Sequence, residues 1–339
     1  MRCLPSSSIY VKASMFGLNF TDKYMESEFL TFKEVIIELS YNCNISCIMC
    51  GFGKIPNPIK KSKFMDFGLY KRLISEVASR TSNVRLNGRG ESTIHPQFVE
   101  IVEYTKAHFP DLSLSLFSNL SFNSQDIIRA VLEADIQMYV SIDSPNQEEF
   151  ESIRRGAKFE YVDRNLTALE SSKKRPFIVF TIQERNIHRI LDIAKYAYER
   201  DCHIIYNSVR RDLGIESYKS LVMELLEFIE QQFCAVHDLY YGSGLICSYP
   251  DQLAGIPLRV PDPKRTHGTM EICPSLREEL VILYDGTVIP CQMFNPYVYG
   301  SLLNSSIEAI WKGDKRREFL RSHKESTYCV NCAKMVSDA

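Results

Sequence analysis

The stretch "EVIIELSYNCNISCIMC", residues 34–50, places an apolar run directly before three closely spaced cysteines, Cys43, Cys47 and Cys50. The run 34–40 is typical of a buried β-strand, and the cysteines follow it on one short loop. Thiolates select zinc, copper(I) and iron–sulfur clusters. A zinc site needs four closed ligands, whereas three thiolates hold three corners of a cubic four-iron cluster and leave the fourth iron open. The alternative is a set of buried, apolar free cysteines.

Strand and helix patterns alternate from about residue 34 to 207. The other strand candidates are 83–87, 112–117, 137–142, 176–182 and 202–207, and the segments between them carry apolar residues at helical spacing, the first with Asp66 as its N-cap. Six such units predict a parallel sheet, either an open doubly wound sheet or a partial barrel. Functional residues then gather at the C-terminal ends of the strands, which is where the cysteine loop lies.

Composition excludes several classes of protein. The chain has 339 residues, of which 45% are hydrophobic, and a formal net charge of −2. It has no global basic field for nucleic acid, so no nucleic-acid partner is expected. We find no signal peptide and no membrane-spanning stretch, and therefore expect a cytoplasmic protein. Its 11 cysteines are too few for a disulfide scaffold, and in a reducing cytosol clustered cysteines indicate metal or catalysis.

The C-x3-C-x2-C loop after the first of six β/α units resembles that of the radical S-adenosylmethionine (SAM) superfamily. The segments after later strands are similar to those of the family as well: "NGRGESTIHP", "FSNL" and "SIDSP" followed by "EEFESIRRG". The resemblance implies a partial (β/α)6 barrel, a 4Fe–4S cluster on the three cysteines, and SAM bound at its open iron. The SAM contacts that it implies are Gly90, Glu91, Ser118, Asn119, Ser141, Arg154 and, in place of the aromatic residue common in relatives, Met49.

Two points in these SAM motifs stay open. The "FSNL" segment has Leu120 where relatives have glycine. For Arg154 and Arg155 the alternative is a solvated helix face.

A second group of cysteines lies near the C-terminus. Cys273 and Cys291 bracket a predicted hairpin that turns at Asp285-Gly286, and "CVNC" supplies Cys329 and Cys332. This pattern resembles the auxiliary-cluster region of the SPASM/twitch subfamily, which implies a second 4Fe–4S cluster. A four-cysteine zinc ribbon is the alternative. The predicted fold class is therefore α/β, a partial (β/α)6 barrel with a small twitch-like C-terminal domain of a β-hairpin plus a helix.

The predicted organisation has four parts. They are an N-terminal extension, the radical SAM barrel, a linker or lid, and the twitch-like auxiliary domain: 1–33, 34–239, 240–270 and 271–339. A single long helix is expected at about 216–235.

The resemblance implies an enzyme that cleaves SAM reductively and abstracts hydrogen from a small polar substrate: a sugar, an aminocyclitol or a nucleotide sugar. A net two-electron oxidation aided by the auxiliary cluster is expected, with an external one-electron donor such as flavodoxin or ferredoxin. One alternative is a radical epimerase or decarboxylase acting on a carbohydrate or nucleoside, with Cys247 as hydrogen donor. Others are a peptide-modifying SPASM-type maturase and a non-catalytic metal-binding module. Candidate substrate ligands near strand ends are Gln183, Arg185, Asn207, Arg210 and Arg211.

Overall fold

A computed structural model of the chain describes residues 30–51, 63–209, 215–261, 273–293, 296–326, 329 and 332. The predicted N-terminal extension is outside this set up to residue 29, as are Arg210 and Arg211. No helix among the described residues is long and apolar enough to cross a membrane.

The architecture is α/β, with a mostly parallel ten-stranded sheet at its centre. Six of these strands correspond to the six predicted ones and pair in parallel, in the order β1-β3-β4-β5-β7-β8. The predicted fold class is confirmed. The strands are Glu34–Ile37 (β1), Ser46–Cys47 (β2), Asn83–Arg85 (β3), Ser113–Ser118 (β4), Gln137–Ser141 (β5), Arg154–Arg155 (β6), Phe177–Ile182 (β7), His203–Ser208 (β8), Cys247–Ser248 (β9), Gln252–Leu253 (β10), Ile256–Pro257 (β11), Glu279–Ile282 (β12), Thr287–Ile289 (β13) and Gly300–Ser301 (β14).

The helices alternate with the strands as the apolar spacing predicts. Asp66 caps the first of them by accepting a hydrogen bond from the Leu69 N–H at 2.9 Å. The long helix predicted at 216–235 is two helices that meet at Leu225. The helices are Phe67–Val77 (α1), Phe98–His108 (α2), Gln125–Glu133 (α3), Gln147–Ile153 (α4), Phe159–Leu169 (α5), Ile190–Glu199 (α6), Ile215–Glu224 (α7), Leu226–Tyr240 (α8), Pro274–Glu278 (α9), Ile307–Trp311 (α10) and Asp314–Ser322 (α11).

The C-terminal hairpin extends the main sheet. β12 pairs in parallel with β1, Val35 lying opposite Leu280, and β13 and β14 add antiparallel strands outside it. Gly286 takes a φ of +81° in the turn, a conformation that glycine adopts without strain. The turn therefore lies where the sequence places it, but the hairpin shares a sheet with the barrel, because its apolar strand covers the otherwise open edge of β1.

The segment predicted as a linker or lid, 240–270, is partly built into the sheet. Cys247 and Ser248 form β9, which pairs in parallel with β8, and β10 and β11 form a small separate hairpin. Only residues 240–261 of this segment are described. β9 pairs with β8 because the free edge of β8 offers backbone hydrogen-bonding groups that the segment after α8 can satisfy.

The two faces of the sheet differ. One face packs on the helices in a continuous apolar core, whereas the other, the inner face, carries partly exposed side chains. Four of these stack across neighbouring strands, with ring-centroid distances of 4.4 Å from Phe117 to Tyr139, 5.0 Å from Tyr139 to Phe177 and 4.5 Å from Phe177 to His203. This aromatic ladder lines the barrel interior beneath the ends of the strands.

Candidate functional site

The three-cysteine loop follows β1, and a short strand pairing, β2 with β6, holds its central part in place. β2, which contains Cys47, pairs antiparallel with β6, so that Cys47 lies opposite Arg154. The Arg154 Nη1 atom donates to the Cys47 sulfur at 3.7 Å. All three thiols are half-buried, so the loop presents them in a partly enclosed position beside a cation.

Burial affects the protonation of two of these thiols, those of Cys43 and Cys47. It raises the pKa of the Cys43 thiol to about 12, and the Glu91 carboxylate adds to the rise. Burial also raises the pKa of the Cys47 thiol, while the Arg154 guanidinium opposes the change. Burial therefore favours the protonated form of the Cys43 and Cys47 thiols in the metal-free chain, and a metal must displace those protons to bind.

Gly90 and Glu91 lie against the cysteine loop. A Cβ on Gly90 would stand 2.1 Å from the Asn42 carbonyl oxygen, so only glycine allows the two backbones to approach this closely. The Glu91 N–H donates to the same Asn42 oxygen at 2.8 Å. This contact joins the predicted Gly-Glu motif to the residue just before Cys43.

The Glu91 carboxylate is buried and accepts four hydrogen bonds from the protein. The donors are the Thr93 N–H and hydroxyl, at 3.2 and 2.8 Å, the Ser118 hydroxyl at 2.9 Å and the Asn119 N–H at 2.8 Å. A carboxylate has about four acceptor positions. Glu91 thus holds the end of β4 against the cysteine loop, and an arriving ammonium group would have to replace one of these donors.

Asn119 completes the connection between β4 and the cysteine loop. Its side-chain nitrogen donates to the Asn44 Oδ1 at 2.9 Å and lies 3.9 Å from the Cys43 sulfur. Leu120, which replaces the glycine of relatives, adopts a φ of +54°. The backbone therefore keeps the left-handed conformation that favours glycine, although a leucine occupies the position.

Arg154 forms an ion pair that the sequence did not reveal. Its Nε lies 2.7 Å from the Asp143 Oδ2, and both side chains are buried. The Asp143 Oδ1 accepts from the Thr181 N–H at 2.8 Å. Burial excludes the solvated-face alternative for Arg154, whereas Arg155 is exposed. The signal for Asp143 was its place in "SIDSP", directly after β5.

Ser141 and Met49 lie apart from this network. Ser141 is on the inner face of β5 and half-buried, and Met49 is half-buried in the turn before Cys50. Neither side chain forms a hydrogen bond to the cysteine loop within the described ranges. Among the predicted substrate ligands, Gln183 is buried at the end of β7, while Arg185 and Asn207 are exposed.

The second group of cysteines also comes together. Burial raises the pKa of the Cys329 thiol, and the neighbouring thiols of Cys332 and Cys273 add to the rise. Tyr299 interacts electrostatically with Cys291 and Cys329, so all four predicted ligands belong to one neighbourhood. The sequence did not point to Tyr299, or to the buried Arg316 beside it.

The arrangement of these thiols bears on the zinc alternatives. No group of three or more His, Cys, Asp or Glu side chains in the described part of the chain is arranged to hold a single metal ion. A tetrahedral zinc needs its thiolates within about 4 Å of one another, whereas a four-iron cube holds each thiolate on a separate iron. The donor sets, three thiols in one group and four in the other, have the soft-ligand chemistry that iron–sulfur clusters require.

Cys247 does not face the barrel interior. On β9 it lies opposite Ile204, on the side of the sheet that packs against α8, and its thiol interacts electrostatically with the buried Tyr206 and Tyr240. The prediction of Cys247 as a hydrogen donor in a lid is therefore corrected. The register of β9 turns the thiol away from the inner face, and we do not propose that role further.

Comparisons with known proteins give consistent results for both halves of the chain. The family model described as "Radical SAM superfamily" matches residues 37–197, and the model described as "Iron-sulfur cluster-binding domain" (SPASM) matches residues 273–333. One curated relative is the tungsten-containing aldehyde ferredoxin oxidoreductase cofactor-modifying protein of Pyrococcus furiosus. It is 21% identical over 89% of this chain and 87% of its own length. Another is the mycofactocin maturase MftC of Mycobacterium ulcerans, 26% identical over 47% of this chain and 42% of its own.

Solved structures share the fold. Native anSMEcpe with bound AdoMet superposes with a TM-score of 0.66 at 16% identity, over 88% of this chain and 88% of that one. SuiB of Streptococcus suis, bound to S-adenosylmethionine, gives a TM-score of 0.67 at 14% identity, over 93% and 74%. At these identities the likeness demonstrates the fold.

Proposed function

Because the chain belongs to the radical SAM superfamily and carries a SPASM-type iron–sulfur domain, we propose that it oxidises its substrate by two electrons after hydrogen abstraction. It is a radical SAM enzyme whose cofactors are 4Fe–4S clusters and SAM. When bound, these cofactors supply a 5′-deoxyadenosyl radical through one-electron reductive cleavage of SAM. The observation that carries the proposal is that the chain has two cysteine groups, a loop after β1 with three thiols and a C-terminal group with four.

Cys43, Cys47 and Cys50 would hold the first cluster and would leave one iron for SAM. Arg154 supports this assignment, because its Nε pairs with Asp143 and its Nη1 with Cys47, while its Nη2 has no hydrogen-bond partner among the described residues. A guanidinium held on two sides is well oriented to bind the SAM carboxylate with the third. Asn119 and Glu91 hold the end of β4 against the cysteine loop through their hydrogen bonds.

Cys273, Cys291, Cys329 and Cys332 hold the auxiliary cluster. Four thiolates would close the coordination of this cluster, so it would bind no substrate through iron and would supply an acceptor for the second electron. Abstraction of one hydrogen atom and loss of a proton and an electron then complete a two-electron oxidation. We further propose that a flavodoxin or ferredoxin supplies the first electron and that the protein acts in the reducing cytoplasm.

For the substrate we propose a peptide. The relatives support this class, since MftC is named a maturase and solved structures include SuiB bound to the precursor peptide SuiA and anSMEcpe with bound AdoMet and the Cp18Cys peptide. A small polar molecule such as a sugar, an aminocyclitol or a nucleotide sugar is the second candidate. The inner face favours it through polar side chains close to the strand ends, among them Ser141, Thr181 and Asn207.

The test is anaerobic reconstitution followed by reduction with dithionite in the presence of SAM. The wild-type protein should form 5′-deoxyadenosine, and Cys50→Ala should not. With candidate peptides and sugars added, the true substrate should lose two hydrogen atoms, as measured by mass spectrometry. SAM consumption that yields a product at the same oxidation level would refute the oxidation.

A further inference from the structure

Tyr299 stands beside the auxiliary cysteines in a buried position. It directly precedes β14, and its N–H donates to the Val288 carbonyl at 2.9 Å, which fixes it next to the strand that leads to Cys291. The ring packs edge-on against Phe319 of α11, with a centroid distance of 5.8 Å. Only 4% of the residue is exposed, and the backbone hydrogen bond and the ring contact together fix its position.

The Tyr299 hydroxyl has no hydrogen-bond partner among the described residues. Buried hydroxyls are paired in most proteins, because leaving such a group unpaired loses its hydration without replacement. The ionisable neighbours of Tyr299 are Arg316, Cys291, Cys329 and Tyr297. Arginine offers no acceptor, and the Tyr297 hydroxyl is engaged with Glu318 at 3.1 Å. The acceptors that remain among these neighbours are the sulfurs of Cys291 and Cys329.

Arg316 adds a buried positive charge to the same place. Its Nη1 and Nη2 donate to the carbonyl oxygens of Trp311 and Leu276, at 3.2 and 2.9 Å, and its guanidinium lies 3.8 Å from the centroid of the Trp311 ring. Burial lowers the pKa of Arg316 to about 10, which still leaves the group charged at neutral pH. A buried cation here offsets the negative charge of thiolates.

We propose that Tyr299 donates a hydrogen bond to the sulfur of Cys291 or Cys329 in the auxiliary cluster and, together with Arg316, raises the reduction potential of that cluster. The proposal rests on the auxiliary cluster of the proposed function. Hydrogen bonds to cluster sulfurs, nearby charge and burial are the protein's means of setting such potentials. A raised potential makes the cluster a better acceptor for the electron of a substrate radical, so Tyr299 is a positioning residue for the oxidation.

The test compares Tyr299→Phe with wild type by anaerobic potentiometric titration followed by electron paramagnetic resonance. Tyr297→Phe is the matched control, because the Tyr297 hydroxyl donates to Glu318 at 3.1 Å, on the exposed side. Tyr299→Phe should shift the auxiliary potential to a more negative value and leave the potential of the Cys43–Cys47–Cys50 cluster unchanged. Tyr297→Phe should shift neither.

A second measurement needs no variant to remain folded. In wild type, double-resonance spectra should contain an exchangeable proton coupled to the reduced auxiliary cluster, and its signal should disappear in heavy water. An unchanged auxiliary potential in Tyr299→Phe with full iron content, or the absence of such a proton in wild type, overturns the inference while the proposed function stands. Wild-type protein that binds only one cluster refutes the auxiliary cluster itself, and with it both proposals.

Discussion

Replacing Gly90 by alanine should disable the SAM site without changing any of the cysteines that are proposed to hold the cluster. A Cβ there would stand 2.1 Å from the Asn42 carbonyl oxygen, 2.6 Å from that of Ser40 and 2.7 Å from the Tyr41 carbonyl carbon, whereas real Cβ contacts essentially never fall below 3.0 Å. All three atoms are backbone, so the two loops must separate by about 1 Å, at a cost of about 1–3 kcal/mol in stability.

The displacement reaches the site because Glu91 follows Gly90 and binds the residue before Cys43. A misplacement of about 1 Å in a catalytic arrangement can cost about 100-fold in rate. We therefore expect Gly90→Ala to lower the rate of 5′-deoxyadenosine formation about 100-fold, with weaker SAM binding by calorimetry and an unchanged iron content.

The matched control is Gly51→Ala, one residue after Cys50, where an added Cβ would meet nothing within 4 Å. This variant should match wild type in both assays. Wild-type rates and SAM affinity in Gly90→Ala would show that the close backbone approach at Gly90 does not position the site.

Three further variants test other contacts. In Glu91→Gln an NH2 group replaces a carboxylate oxygen and faces hydrogen-bond donors. Urea unfolding under anaerobic conditions should therefore show a free energy of unfolding lower by about 1–3 kcal/mol. Wild-type stability would contradict the four hydrogen bonds to Glu91. Arg154→Ala leaves Asp143 buried without its cation and should lower the free energy of unfolding by about 3–5 kcal/mol. Adding Asp143→Asn in a double variant should restore part of that loss. Arg155→Ala, at an exposed position, should change stability little. Cys247→Ala should leave SAM cleavage and the deuterium content of product formed in heavy water as in wild type, since the thiol packs against α8; a loss of deuterium uptake would return it to the reaction.

Local patterns predicted the parts of the site that depend on neighbouring residues. The loop after β1, the Asp66 cap and the turn at Gly286 each follow from spacing, side-chain hydrogen bonding or backbone freedom over a few positions. The order of the six parallel strands follows from the same local alternation and the right-handed crossover rule.

Contacts between distant segments were beyond these patterns. The pairing of β12 with β1 joins segments that lie most of the chain apart, and the four donors to Glu91 come from two separate segments, Thr93 and the end of β4. The side of the sheet that Cys247 faces depends on the register of β9, in which a shift of one residue would reverse it. Likewise, Arg154 was expected to bind SAM, but its pairing with Asp143 required the fold to bury both.

The most direct test is whether SAM binds the iron held by Cys43, Cys47 and Cys50. A variant with Cys273 and Cys329 replaced by alanine should retain this cluster alone, and SAM with isotope-labelled amino and carboxylate groups can then be followed by electron–nuclear double resonance. SAM binding at this iron predicts that both labelled groups couple to the reduced cluster. Spectra without either coupling, or a tetrahedral zinc ion on these three cysteines, would contradict it.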